Sequence, residues 1–177
     1  MSPDPRIQAI VSALKEARLT GWEKMPDIEL YMDQVITYLK RQLALFQGAS
    51  DPSLVTPSII NNYVKDGIVA RPVKKRYAQH QLAALTMACI LKRVLPMQRV
   101  KQFTAPGGQQ VDQQGYEAFR RALEEVLCGE AGLLEQASQQ TSLEDMALTF
   151  AMRASVDCLI ADRLLALIRD GQQEQAP

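Results

Sequence analysis

Residues 56–77, T-P-S-I-I-N-N-Y-V-K-D-G-I-V-A-R-P-V-K-K-R-Y, constrain the fold most, because this stretch carries its own start and stop signals. Thr56 is a good N-cap, since its hydroxyl can accept from a free amide of the first helical turn. Pro57 has the fixed φ that suits the first helical position, and Gly67 supplies the left-handed residue that closes a helix. The spacing predicts a short helix from Pro57 to Asp66. At about 100° per residue, Ile59, Ile60, Tyr63 and Val64 share one face, while Ser58, Asn61, Asn62 and Lys65 share the other. The first face belongs in a core; the second is left for something polar.

That polar face has the chemistry of base readout. Asn pairs bidentately with adenine in the major groove, Lys reaches guanine or a phosphate, and Ser at a helix start holds a phosphate oxygen. Beyond Gly67 the chain is β-prone, turns near Pro72 and carries Arg71, Lys74, Lys75 and Arg76, the pattern of a basic wing. An ordinary solvated helix and loop would show the same residues, so charge distribution has to decide. Residues 1–55 hold 6 Lys/Arg against 7 Asp/Glu, residues 56–101 hold 9 against 1, and residues 102–177 hold 5 against 12, giving −1, +8 and −7. A chain neutral overall has concentrated its positive charge in one segment, as phosphate attraction requires.

The same block resembles the winged helix-turn-helix of MerR-type regulators. Their pattern S-P-x-T-L-R-Y-Y-E-x-x-G-L is met by Thr56, Pro57, Ile60, Tyr63, Gly67 and Ile68, and a downstream R-x-Y-x-x-x-D-L-x-x-L is approximated by Lys75, Tyr77, Gln81, Leu82 and Leu85. The sequence departs at Asn61, where the family has Arg, at Asn62, where it has Tyr, and at Val64, where it has Glu. A closer likeness, through L-Y-M-D-Q-V at 30–35, I-N-N-Y-V-K-x-G at 60–67 and K-K-R-Y at 74–77, is to a bacterial domain-of-unknown-function family thought to carry a MerR-like winged helix. The resemblance implies a mainly α fold, with a MerR-like winged helix-turn-helix, a small β wing and a helical C-terminal region.

The rest of the chain fits around this block. Ile7, Ile10, Val11 and Leu14 predict an amphipathic helix over residues 6–19, followed by a linker in which Trp22 anchors on the domain. From an N-cap at Asp27, Met32, Val35, Ile36, Leu39, Leu43 and Phe46 line a helix to about Gln47, the supporting helix of the motif. Residues 48–55 read as a turn. Residues 79–95 are apolar nearly all round and belong at the domain centre, with His80 in a surface or capping role; a short helix over 96–103 offers Arg99 and Lys101 to a DNA backbone. Residues 104–115, rich in Gly and Gln, read as a linker. A helix over 116–128 follows, and Thr141 with Glu144 makes a capping box for a long apolar helix to about Asp170.

The domains expected are therefore an N-terminal helix and linker over 1–26, the winged helix-turn-helix over 27–103, the linker over 104–115, a C-terminal region over 116–171 and a disordered tail over 172–177. The long helix either completes a monomeric core or pairs two copies into a homodimer, as the helices beyond the DNA-binding head do in MerR-type proteins. Cys89, Cys128 and Cys158 sit in apolar helical patterns and read as buried thiols. Without C-x-x-C, and with one His, neither zinc nor a disulfide framework is expected.

The sequence contains no phosphate-binding glycine loop, no G-x-S-x-G, no H-E-x-x-H and no clustered carboxylates, so no enzyme, no catalytic residue, no metal and no cofactor are expected. No apolar run reaches the ~20 residues of a membrane span, and no secretion signal is seen, so a cytoplasmic protein is expected. The leading expectation is a sequence-specific DNA-binding transcriptional regulator whose partner is double-stranded DNA. The alternative is a protein-interaction module that keeps the winged helix as a scaffold, its +8 segment meeting an acidic partner or its own −7 segment.

Overall fold

The computed structural model describes residues 4–47 and 54–173. Its elements in order are α1 (Pro5–Glu16), β1 (Leu30–Tyr31), α2 (Met32–Gln42), α3 (Pro57–Lys65), β2 (Arg76–Tyr77), α4 (Gln79–Leu91), α5 (Met97–Thr104), α6 (Gln113–Ala137) and α7 (Leu143–Gln173), with single 3-10 turns at Trp22–Lys24, Ala44–Phe46 and Pro106–Gly108. The protein is mainly helical, and among the described residues its one sheet is a two-stranded antiparallel pair in which Leu30 faces Tyr77 and Tyr31 faces Arg76.

Helix α4 is the centre. Nine consecutive residues, Gln81 to Cys89, are buried, because α2, α3, α5 and α6 pack around it on all sides. Val35 and Leu39 of α2 with Leu43 just past its end, Ile60 and Tyr63 of α3, Val100 of α5 and Tyr116 of α6 close the core. Burying each such side chain contributes about 1.5–3 kcal/mol, which fixes the angle at which α3 is held. A smaller cluster, Ile7, Val11, Ala131 and Met146, joins α1 to α6 and the start of α7, with Lys15 and Glu135 paired at 2.7 Å beside it.

Several boundaries differ from expectation. Helix α2 begins at Met32 rather than after Asp27, because Leu30 and Tyr31 are drawn into the strand pair; the backbone N–H of Tyr31 donates to the Gln34 side chain at 2.9 Å, closing the helix start. Helix α6 begins at Gln113, capped by Asp112, whose carboxylate accepts from the Gly115 amide at 2.9 Å, and it runs on to Ala137. Helix α7 is capped by Ser142 with Asp145 rather than by Thr141 with Glu144. The residues read as a turn at 48–53 and the end of the tail at 174–177 lie outside the described residues.

The segment expected as a linker is tied down. Gly107 and Gly108 take positive φ and reverse the chain, after which Val111 is buried, its amide donating to the Thr104 carbonyl at 3.0 Å. Gly107 and Gly108 thus set a turn, while Gly115 lies in the first turn of α6. Trp22 anchors as expected, its ring centroid 6.1 Å from that of the buried Tyr116 and its amide donating to Glu117 at 2.7 Å. Among the described residues, no helix is long and apolar enough to cross a membrane.

Candidate nucleic-acid interface

Helix α3 forms as its end signals require. The Ile59 amide donates to the Thr56 hydroxyl at 3.2 Å, and Pro57 takes the first helical position. At the other end Gly67 adopts φ 69°; its amide donates to the Val64 carbonyl at 3.2 Å, and the Ile68 amide to the Tyr63 carbonyl at 3.0 Å. This paired closure buries Ile68 under the helix end and turns the chain out of the core. Ile60 and Tyr63 are consequently buried, and Ser58, Asn61, Asn62 and Lys65 are all exposed.

The segment after Gly67 returns as a hairpin. Ala70 is held on both sides: its amide donates to Gln110 at 3.0 Å, and its carbonyl accepts from the buried Gln81 at 2.9 Å. Gln81 also accepts from the Ala78 amide at 2.6 Å, so one side chain joins the hairpin base to the start of α4. At the tip, Val73 bridges Arg76, whose amide donates to the Val73 carbonyl at 2.9 Å. The two residues between them, Lys74 and Lys75, have φ 49° and 64°. Two-residue hairpins favour this left-handed geometry, and Asn-Gly adopts it at little cost. Two lysines occupy it at ~1–2 kcal/mol per residue, which a fold tolerates where the side chains are needed.

Arg71, Lys74, Lys75 and Arg76 are exposed along this hairpin. Further cations stand beside α3: Lys92 and Arg93, which the sequence pattern did not single out, and Lys101, which it offered to a DNA backbone. A groove of about 450 Å³ separates Asn62 and Tyr63 of α3, and Asp66 at its end, from Cys89 of α4 and from Lys92 and Arg93 just past it, so both cations stand across the groove from Asn62. Just past Asp66, the Lys101 ammonium approaches Gly67 so closely that a Cβ there would stand 3.1 Å from it. Only the tertiary packing of α4 brings Lys92 and Arg93 to α3, with no local pattern to announce it, whereas Lys101 was among the cations expected from the 96–103 helix.

The electrostatics of this surface are one-sided. Among the described residues, only Arg99 of the nine cations in 56–101 forms a salt bridge. Arg99 does not face outward with Lys101, as expected from sequence. Its side chain is 16% exposed, 3.5 Å from Asp162, and it donates to the Leu165 carbonyl at 3.3 Å, which ties α5 to α7. Four acids of the C-terminal region, Glu117, Glu124, Glu130 and Glu135, pair with other cations, namely Lys15, Arg18, Arg120 and Arg153. Among the described residues, salt bridging of the basic segment by the chain's own acids is therefore confined to one pair.

The family model described as a domain of unknown function, DUF1836, matches residues 20–124. The chain belongs to the DUF1836 family. No curated protein and no solved structure matches it. The DUF1836 stretch contains the strand pair, helices α2 to α5, the hairpin and the first half of α6, and so every residue of the candidate interface; α1 and α7 lie outside it.

The cysteines divide by environment. Cys89 is buried against Tyr63, and burial pushes its thiol up to about 12. Cys128 is exposed and Cys158 half-buried, contrary to the expectation of three buried thiols, because α6 and α7 present those positions away from the core. His80 is half-buried in the first turn of α4. Among the described residues, no group of three or more His, Cys, Asp or Glu is placed to hold a metal ion.

Proposed function

We propose that this DUF1836 protein is a bacterial, cytoplasmic, sequence-specific DNA-binding transcriptional regulator of the MerR-like winged helix-turn-helix type. Helix α3 is its recognition helix and the 68–77 hairpin its wing. The observation that carries this reading is the surface around α3. Ser58, Asn61, Asn62 and Lys65 stand exposed, Arg71, Lys74, Lys75 and Arg76 stand exposed on the hairpin that follows, and none of these cations has an acidic partner among the described residues. Protein surfaces intersperse charges of both signs unless a charged partner is to be met.

In this reading the Asn pair reads bases, and the hairpin lysines and arginines hold phosphates. Two copies paired through the C-terminal helices would present two α3 helices to half-sites about one DNA turn apart. The protein-interaction module remains the competing reading, and salt dependence separates them. Binding to random and genomic fragments should weaken by orders of magnitude between ~50 and ~200 mM salt, and a short site should be enriched. Asn61→Ala should cost ~1–3 kcal/mol on that site and leave nonspecific binding nearly unchanged. Equal loss on every sequence would remove the base-reading role of Asn61, and absence of DNA binding at low salt would favour the interaction module.

A further inference from the structure

The groove beside α3 has a floor that DNA does not need. Lys92 and Arg93 stand on one wall, in the turn where the chain leaves α4, and Asn62 and Asp66 stand on the other. Between them the floor is apolar, made by the buried Leu54 and by Ile59 and Met97, both half-buried against the core. Tyr63 and Cys89 complete it, and burial keeps the Cys89 thiol protonated and uncharged. A phosphate of the DNA backbone is held at a rim by cations alone; an apolar floor gives it nothing. At about 450 Å³, the groove lies in the range of about 300–1,000 Å³ in which proteins hold small molecules, and it has the composition of such sites, an apolar lining with a few polar groups.

Its walls are held apart and in place. The Lys92 amide donates to the Ala88 carbonyl at 2.9 Å and the Arg93 amide to the Ile90 carbonyl at 3.3 Å, so backbone bonds fix the turn that carries both cations. Arg93 is held further by its Nη1, which donates to the Phe46 carbonyl at 3.0 Å. Neither cation forms a salt bridge with Asp66 or with any other acid among the described residues. The opposed charges do not satisfy each other, and a guest between them meets both. Two cations against one acid leave the rim at +1, which suits one carboxylate better than a doubly charged phosphate monoester. Asp66 repels that carboxylate from the α3 wall, so the head turns to Lys92 and Arg93 while an apolar body lies on Leu54, Ile59 and Met97.

We infer that this groove binds a small organic monocarboxylate with an apolar body, and that its occupant releases the protein from DNA. The second half rests on the DNA reading. Asn62 belongs both to the groove wall and to the face of α3 that would read bases, and the carboxylate would occupy two cations beside that face. Ligand and DNA then exclude each other.

Phenylacetate serves as the probe, with acetate as its head alone and benzyl alcohol as its body alone. In titrations of the full chain followed by amide NMR, phenylacetate should bind saturably with a Kd of about 1 mM or tighter, and each half-probe at least about tenfold more weakly. The shifts should centre on Asn62, Asp66, Lys92 and Arg93. Lys92→Gln should weaken phenylacetate about two- to fivefold and Asp66→Asn should strengthen it by a similar factor, both modest because the side chains are exposed. Met97→Trp, which fills the floor and leaves the charges, should abolish binding. Absence of saturable shifts at these four residues, acetate binding as tight as that of phenylacetate, or indifference to both charge variants overturns the site. On DNA, phenylacetate at ten times its Kd should lower the affinity about tenfold relative to equal acetate, and the Met97→Trp protein should not respond. Unchanged DNA affinity in a protein shown to hold phenylacetate overturns the release and leaves the site standing. A protein that holds phenylacetate and ignores DNA sinks the regulator and the release with it; one that binds DNA and ignores phenylacetate sinks only the groove.

Discussion

The guanidinium of Arg76 lies 5.1 Å from the ring centroid of Tyr31, and its Nε donates to the Tyr31 hydroxyl at 3.1 Å. This pair sits on the two-stranded sheet and fastens the hairpin to the start of α2. Tyr31→Ala should lose about 1 kcal/mol of stability and speed amide exchange at Arg76 and Tyr77, while Tyr31→Phe, which keeps the ring under the cation, should lose less. Unchanged exchange in the alanine variant would mean that backbone pairing alone holds the hairpin.

The left-handed lysines set stability against binding. Replacing Lys74 and Lys75 by Asn-Gly should raise stability by roughly 1–2 kcal/mol, because these residues accept positive φ without the steric cost. DNA affinity should fall on all sequences, with a salt slope shallower by about two. Denaturant melts and salt titrations of one double variant read both effects. Lower stability would refute the strain, and an unaltered slope would remove the two lysines from the interface.

Burial of Cys89 makes a pH prediction. Its thiol is raised from 9.0 to about 12, chiefly by desolvation, so on alkalinisation the unfolded chain ionises there before the folded one. The contribution is complete below pH 9 and is lost as pH rises towards 12; over that window stability falls by about 1.4 kcal/mol per pH unit. Tyr38, pushed up to about 12 by burial, steepens the decline above pH 10. Urea melts from pH 8 to 11 on the native chain and Cys89→Ala should show the shallower dependence in the variant. Under native conditions a thiol reagent should modify Cys128 quickly and Cys89 only on unfolding.

Arg99 offers a test of its own placement. Arg99→Ala should loosen α7 around Asp162 and Leu165, seen as faster hydrogen exchange there, and should leave DNA affinity and its salt slope nearly unchanged. Lys101→Ala, beside Gly67, should do the reverse. A shallower slope in the Arg99 variant would return this residue to the DNA.

The ends of α3 were legible in the chain because capping is local: Thr56 and Gly67 act within a few residues of themselves, and the face between them follows from helical spacing alone. The run buried in α4 and the anchoring of Trp22 were legible for a related reason, since an unbroken apolar pattern has nowhere to go except a core. The start of α2 was not, because Leu30 and Tyr31 pair with Tyr77 and Arg76, far along the chain, in strands too short to show a period. Composition alone also misled at 104–115, where glycine marks a turn that hydrogen bonds then hold.

The sequence by itself determined the helical character, the polar face of α3 and the concentration of positive charge, since each depends on residue type and near spacing. Tertiary structure decided which charges remain free. It drew Arg99 to Asp162 and brought Lys92 and Arg93 across a groove from Asn62. Those outcomes depend on which sides of packed helices are already taken, and only the assembled core settles that.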